Sequence, residues 1–478
     1  MRVIRRAYHH TKIIFTLGPA TAKPEMLAQL IRQGTDVCRL NMAHASHEWT
    51  REAIRMVRAA CETEGRQIAL MMDVKGPEIR TGAVAEPIQL VPGETLELWT
   101  SPIPGLPVPG IHRVTVNYTG LTQDLKPGDS VLVDSGLIRL EVTAMSALSV
   151  ATRVVIGGEL GSRRHINLPG VDVRLPSLTE KDLGDIQVGI EEGVDLFALS
   201  FVRSAAAIEE LRALLKEAGS TARIVAKLED QTGVRNLEDI VRATDCLMVA
   251  RGDLGIEIPF EQLPLVQYTA VKTCLAEGKP VIIATHLLES MVENPFPTRA
   301  EITDIANAVR ERADAVMLSG ETTTGKYPLE CVSVMKRIIE ATEPLNTSGL
   351  NLTVKLTTPK AKLVRSAAVL AQELGNAAIL LYTRTGHTAF IAAALRPTGI
   401  PVYAFTDRMP AFRQMLMLWG IEPFFIEFNP NDFEDTMTRS FQALVRGGWQ
   451  VPGDRLAVVT NTKAGERIID VLQIRTVE

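Results

Sequence analysis

The feature that most constrains this chain is a rhythm. From Thr11 onward, short apolar β-rich runs alternate with amphipathic helical stretches. TKIIFTLG precedes a helix over Pro24–Gln33, DVCRLNM precedes a helix from His47 to Glu64, and QIALMMDVKG reads as a third strand. The rhythm breaks, then resumes at Thr179, where Thr179, Glu180, Lys181 and Asp182 read as a capping box with Asp in place of Glu. VDLFALSF, ARIVAKLE, DCLMVARG, PVIIATHL and DAVMLSGE follow, with helical patterns between them and another from Leu329 to Glu343. Parallel neighbours need long crossovers, so this alternation implies a parallel sheet. Eight repeats over ~250 residues imply a closed (β/α)8 barrel.

The break is itself structured. From about Gly82 to Arg174 the pattern has period two, as in ETLELW, SVLVDS and LIRLEV, with turns such as SPIPGLPVPG. This predicts a β domain at 82–174 inserted into a barrel formed by 1–81 and 175–346. The polar stretch TSGLNLTVKLTTPK reads as a linker. A third unit at 357–478 carries strands AAILLYT, PVYAFT, PFFIEF, RLAVVT and RIIDVLQI, with helices expected at 360–374, 387–395, 410–419 and 432–446. A chain of 478 residues exceeds what one core supports, so three units are reasonable.

Composition removes several functions. A formal charge of −5 and 5% aromatics argue against a nucleic-acid partner. No run approaches the ~20 apolar residues of a membrane span. Five cysteines without CxxC spacing suggest reduced thiols, so a cytoplasmic protein is expected.

In such a barrel, chemistry sits at the C-terminal ends of the strands, where the loops converge. Here seven strands end in polar groups: Arg39 and Asn41, Asp73 and Lys75, Ser200, Lys227 and Glu229, Arg251 and Asp253, Thr285 and His286, Ser319 and Glu321. The cations Arg39, Arg80 and Lys227 suit an anionic, phosphorylated substrate. The carboxylates Glu229 and Asp253 suit a hard divalent ion. Lys227 and Glu229 are two apart, so they share a strand face, either as a structural ion pair or as catalytic groups. The glycines of ARGDLG let backbone approach an anion closely.

These residues carry a specific resemblance. TKIIFTLGPA, RLNMAH, MDVKGPEIRTG, NLPGVDVRLPSLTEKD, VAKLED, VARGDLGIEIP, IATHLLESM, PTRAEITDIANAV and MLSGETTTGKYP resemble the pyruvate kinase family across the whole barrel and in order. The β insertion falls where that family carries its lid. The resemblance implies transfer of a phosphoryl group from phosphoenolpyruvate to ADP, giving pyruvate and ATP, by a cytoplasmic homotetramer. It implies that Glu229 and Asp253 hold Mg²⁺ (or Mn²⁺), that Lys227 neutralises the transferring group, and that Arg39 and Arg80 hold phosphate oxygens. Ser200, Ala250, Gly252 and Asp253 would bind substrate, and Thr285 would help deliver a proton to the enolate. Arg39, Asn41 and His44 would face the nucleotide. Asn41, Asp73 and the Val74 carbonyl would bind K⁺. Other readings are a lyase of the same barrel superfamily and a catalytically weak, metabolite-sensing paralogue; the first lacks the extra domains, the second would be expected to lose Lys227, Glu229, Asp253 or Thr285.

Three departures from the family pattern stand out. Ala43 replaces a serine that is a K⁺ ligand in the family, so K⁺ affinity should be weaker. Glu78, which accompanies K⁺ dependence there, is kept, and should leave uncompensated negative charge near Asp73. Ser135 replaces the second Asp of a typical VDDGLI in the lid. The C-terminus lacks the Gly-rich effector loop between its last two strands, although Thr383, Arg384, Thr385, Gly386 and Thr388 still resemble a phosphate cradle at a helix N-terminus.

Overall fold

The computed structural model describes residues 9–43, 45–105, 108–345, 349–375, 377–464 and 467–478. Eight parallel strands, Lys12–Thr16, Val37–Asn41, Ala69–Val74, Leu196–Leu199, Arg223–Leu228, Cys246–Ala250, Val281–Ala284 and Ala315–Met317, close into a barrel in chain order. Closure is made by Ile14 against Met317. Sequence sets the helix starts locally. Ser46 Oγ accepts from Trp49 N to open His47–Glu64. Thr179 and Asp182 form the expected reciprocal box, and Thr298 with Glu301 forms a second.

Strand parity positions the site. Val37, Ala69, Met71, Leu196, Ala198, Val225, Cys246, Met248, Ile282 and Ala284 fill the barrel interior, while their sequence neighbours pack outward under the helices. Because successive side chains alternate, continuing the inward set toward the C-terminal ends reaches Arg39, Asn41, Asp73, Ser200, Lys227 and Glu229. The interior is apolar below and charged at the mouth.

The inserted domain is a seven-stranded sheet whose first edge strand is Ile79–Arg80, paired with His165–Asn167. Its far edge, Ile111–Thr115, returns to the first at the Thr81–Val116 bridge, and Gly82 N donates to Thr115 O, 2.7 Å. This closure buries its own apolar core around Leu98, Val131 and Leu140. A single helical turn, Leu121–Asp124, interrupts the β pattern.

The third unit is a five-stranded sheet in the order Ile421–Phe425, Val402–Thr406, Ala377–Tyr382, Arg455–Ala464, Arg467–Thr476, parallel except for the last strand. The helix expected at 410–419 spans only Met409–Met415, and its strand starts at Ile421. The reason is the barrel: Trp419 N donates to Asp314 Oδ1, 3.1 Å, and Gly420 turns the chain at φ 64°. Asp314 also holds Arg396, a buried left-handed residue (φ 51°) whose guanidinium lies 5.2 Å from the Trp419 ring. Lys12 Nζ donates to Ile421 O, 2.8 Å. The third unit is thus seated on the foot of the barrel, opposite the mouth.

Candidate active site

At the mouth, Lys227 is the hub. Its ammonium lies 2.8 Å from Glu229 Oε1 and 3.1 Å from Asp73 Oδ1, and donates to Ser200 Oγ at 2.8 Å. Burial works against the charge, but Asp73 and Glu229 outweigh it and hold the Lys227 pKa above the ordinary lysine value. Ser200 Oγ donates on to the Val74 carbonyl, 2.8 Å. Gly76 turns the chain beside it at φ 71°, and a Cβ there would meet Ser200 Cβ at 2.9 Å.

Arg39 Nε donates to Asp73 Oδ2 at 2.7 Å and Nη1 to Thr16 Oγ1 at 3.1 Å. Burial pushes the Asp73 pKa up, but Lys227 and Arg39 pull it down further, so it is an anion held between two cations. Glu229 Oε2 accepts from Phe201 N, 2.6 Å. Burial raises the Glu229 pKa; Lys227 opposes this and the charge of Asp253 adds to it. Phe201, Thr285 and His286, just past strand ends at this mouth, adopt left-handed backbone (φ 51°, 67° and 54°).

Two carboxylates, Glu229 and Asp253, therefore feel each other across a buried site. That donor set fits a hard divalent ion, which takes few protein ligands and shares substrate oxygens. Among the described residues, no cluster of three or more His, Cys, Asp or Glu side chains is placed to hold a metal. Asn41 Oδ1 accepts from Ala43 N, 3.1 Å; Asn41 pairs with Asp73 across adjacent strands, and the Val74 carbonyl accepts from Ser200.

Thr285 Oγ1 accepts from Gly252 N, 2.8 Å, and donates to Ala284 O, 2.7 Å. Ala250 is buried at the end of its strand, with Gly252 and Asp253 in the helix that follows. Arg80 stands apart from the Lys227 cluster. It lies on the lid's edge strand, with Nε on Glu78 at 2.6 Å and Nη1 on the Arg163 carbonyl at 2.8 Å. His165, paired with Arg80 across that sheet, has its pKa lowered by burial first, with Glu78 and Asp253 raising it and Arg80 and Lys75 lowering it. His165 thus senses both the Glu78–Arg80 pair of its own sheet and Asp253 of the mouth helix. His44 lies outside the described residues.

Several sequence expectations change here. Glu78 is not left uncompensated: Lys75 (3.1 Å) and Arg80 both hold it. Arg251 is a structural pin, bound to Asp304 at 2.7 Å and to the Thr285 carbonyl at 2.6 Å. Glu321, fully buried, accepts from Leu288 N and Ser319 N. Ser135 is an exposed turn residue at φ 56°. Thr16, whose hydroxyl aims Arg39, was missed; its signal is its place at the end of the first strand.

In the third unit, Thr383 and Thr388 are buried, Gly386 (φ 78°) caps His387–Leu395, and Arg384 turns to Asp407, 3.2 Å. The Thr385 carbonyl accepts from the barrel's Arg223, 3.1 Å.

Comparison with known proteins finds two family models on the chain: pyruvate kinase, barrel domain, over 8–332, and pyruvate kinase, alpha/beta domain, over 361–474. A pyruvate kinase of Mycobacterium intracellulare is 41% identical over 416 residues, 87% of each chain. One from Sporosarcina psychrophila is 39% identical over 468 residues, 95% of this chain and 78% of that one. Plastidial pyruvate kinase 2 of Arabidopsis thaliana is 39% identical over 453 residues, 94% of this chain and 77% of that one. A crystal structure of a pyruvate kinase from Cryptosporidium parvum superposes with a TM-score of 0.91 at 31% identity, covering 98% of this chain and 96% of that one.

Proposed function

We propose a division of labour within this chain, which belongs to the pyruvate kinase family and is a phosphotransferase moving the phosphoryl group of phosphoenolpyruvate to ADP, giving pyruvate and ATP. The observation that carries it is the Lys227 ammonium, buried at the mouth between Asp73 and Glu229. In phosphoryl transfer, charge spreads over the equatorial oxygens, and a cation already fixed in place stabilises it without reorganising. Lys227 supplies that cation. Arg39, aimed by Asp73 and Thr16, holds phosphate oxygens; Arg80, on the lid's edge strand, reaches the same oxygens when the lid closes.

Glu229 and Asp253 would hold Mg²⁺ or Mn²⁺, which supplies Lewis-acid polarisation of substrate oxygens. Ser200 and the Ala250–Gly252–Asp253 backbone bind the substrate carboxylate end. Thr285, hydrogen-bonded to Gly252 N, guides a proton to the enolate carbon, and the resulting ketone makes transfer to ADP favourable. Arg39, Asn41 and His44 face the nucleotide. Asn41, Asp73 and the Val74 carbonyl take K⁺; Ala43 offers no side-chain oxygen there, so K⁺ is held less tightly than in an Ala43→Ser variant.

Two coarser features complete the reading. Phe260, Leu265 and Tyr268 are exposed, the last two one turn apart on Leu263–Glu277, which supports burial in a homotetramer. Five free, buried cysteines support a reducing, cytoplasmic compartment, and no helix of the described residues is long and apolar enough to cross a membrane. The residues 383–388 remain the proposed effector cradle. The metal assignment is tested by Mn²⁺ binding, read by electron paramagnetic resonance in the presence of phosphoenolpyruvate. Glu229→Gln and Asp253→Asn should each lose tight binding; unchanged affinity in both removes the assignment.

A further inference from the structure

The helix Arg251–Glu257 carries Asp253 in its first turn, and both of its ends are fastened. Its first residue is pinned to the barrel by Arg251, through Asp304 and the Thr285 carbonyl. Its last residue is fastened differently. The Glu257 backbone carbonyl accepts from Gln231 Nε2 at 2.5 Å, but its side-chain Oε1 accepts from Asn167 Nδ2 at 2.7 Å. Asn167 belongs to the inserted domain: it ends His165–Asn167, the strand that pairs with the lid at Leu132 and Val133.

Asn167 and Glu257 are 3% and 9% exposed, so their hydrogen bond is shielded from water. Asn167 Oδ1 is buried with no partner among the described residues, and it lies beside a cavity of about 30 Å³ lined by His165, Phe201 and Gln231. That is room for about one water, so the lid side of this contact is not packed solid. A second approach lies nearby: a Cβ on Gly136, in the lid turn, would come within 3.8 Å of Ile256 Cγ2 on the same helix. The inserted domain therefore touches the Asp253 helix at its C-terminal end through a buried hydrogen bond, with the Gly136 turn close by Ile256.

We propose that Asn167 and Glu257 form a latch that transmits the position of the inserted domain to the helix bearing Asp253, making both positioning residues for the phosphoryl transfer. When the lid moves, this bond either pulls the helix with it or breaks. Breaking it strands a buried carboxyl group, which the protein resists. Lid position and Asp253 placement are thereby tied together, although neither latch residue touches a reacting atom. The proposal rests on the assignment of Asp253 to the divalent ion.

The test measures Mn²⁺ binding to the complex with phosphoenolpyruvate for Asn167→Ala, Glu257→Ala, the double variant and Glu257→Gln. Each alanine variant should weaken binding about tenfold, the scale of one hydrogen bond to a charged group. The double variant should lose no more than either single one, because one bond is removed in all three. Glu257→Gln should remain within about twofold of the wild type, since its amide oxygen still accepts from Asn167. Should Asn167→Ala fail to fold, Asn167→Leu keeps the bulk, removes the donor, and should show the same loss. A purely structural contact would lower the melting temperature while leaving Mn²⁺ affinity unchanged in every folded variant, or would give additive losses; either result overturns the latch. Asp253→Asn separates the two ideas. If it abolishes Mn²⁺ binding while Asn167→Ala and Asn167→Leu do not weaken it, the latch fails and the metal assignment stands. If Asp253→Asn leaves Mn²⁺ binding intact, the metal assignment fails and the latch with it.

Discussion

Replacing Lys227 by Met is the sharpest perturbation of the mouth. The methionine is close in length, so packing changes little, but the ammonium between Asp73 and Glu229 disappears. Removing one partner of a buried ion pair costs about 3–5 kcal/mol, because the remaining charge stays desolvated. Two features soften that cost. Arg39 still holds Asp73 at 2.7 Å, and Glu229, whose pKa burial already raises, can take up a proton. The variant should therefore fold, with a loss of about 2–4 kcal/mol in denaturant unfolding. Chemistry has no such relief. A preorganised electrostatic contact in the transition state is worth about 10²–10³ in kcat, and kcat should fall at least that far while KM for phosphoenolpyruvate moves only a few-fold. Pyruvate release coupled to a lactate dehydrogenase reaction measures both. A kcat within about tenfold of the wild type, in a variant of confirmed fold, would refute the assignment of Lys227.

Three further outcomes follow from the same geometry. Thr285→Val removes the acceptor of Gly252 N, and should slow hydrogen exchange into pyruvate more than it raises KM for phosphoenolpyruvate; equal losses would make Thr285 a simple binding contact. Burial raises the Glu257 carboxyl pKa to about 7, with the Asn167 amide opposing and Asp230 adding to the shift. The unfolded chain ionises near 4.5, so the folded form keeps its proton longer, and stability is lost as pH rises from about 4.5 to about 7, by roughly 3 kcal/mol. Denaturant unfolding at several pH values should show that slope flattened in Glu257→Gln; identical slopes would contradict it. Fructose 1,6-bisphosphate should not activate the enzyme, because the strands Arg455–Ala464 and Arg467–Thr476 leave only two residues between them, 465 and 466, which lie outside the described residues; sigmoidal kinetics relieved by that bisphosphate would be the contrary result.

Much of this was legible in the sequence because barrel chemistry obeys a two-residue period. Once Val225 is an interior residue, Lys227 and Glu229 must face the mouth, and the same parity brings Asp73 and Ser200 to meet them. Parity fails beyond the strand end. Arg251 and Glu321 occupy helical starts, where a side chain can turn back to cap backbone, and both became structural pins. Arg80, read as a phosphate-holding cation, is bound by Glu78 and the Arg163 carbonyl, because two residues after Pro77 the chain has already joined another sheet. Glu78 was read as uncompensated because its two cations, Lys75 and Arg80, bracket it only once the turn is folded. The Asn167–Glu257 bond joins residues ninety positions apart, and nothing local marks either one. The helix before Ile421 is shorter than its pattern because Asp314, from the barrel, captures its end.

The most direct measurement of the central claim is a product balance with the purified chain. Incubated with phosphoenolpyruvate, ADP, Mg²⁺ and K⁺, it should form pyruvate and ATP in equal amounts, followed by phosphorus NMR, with no reaction when ADP or Mg²⁺ is omitted. Pyruvate released with inorganic phosphate, or formed without ADP, would contradict the account, since the mouth around Lys227 would then serve hydrolysis or lysis and not transfer.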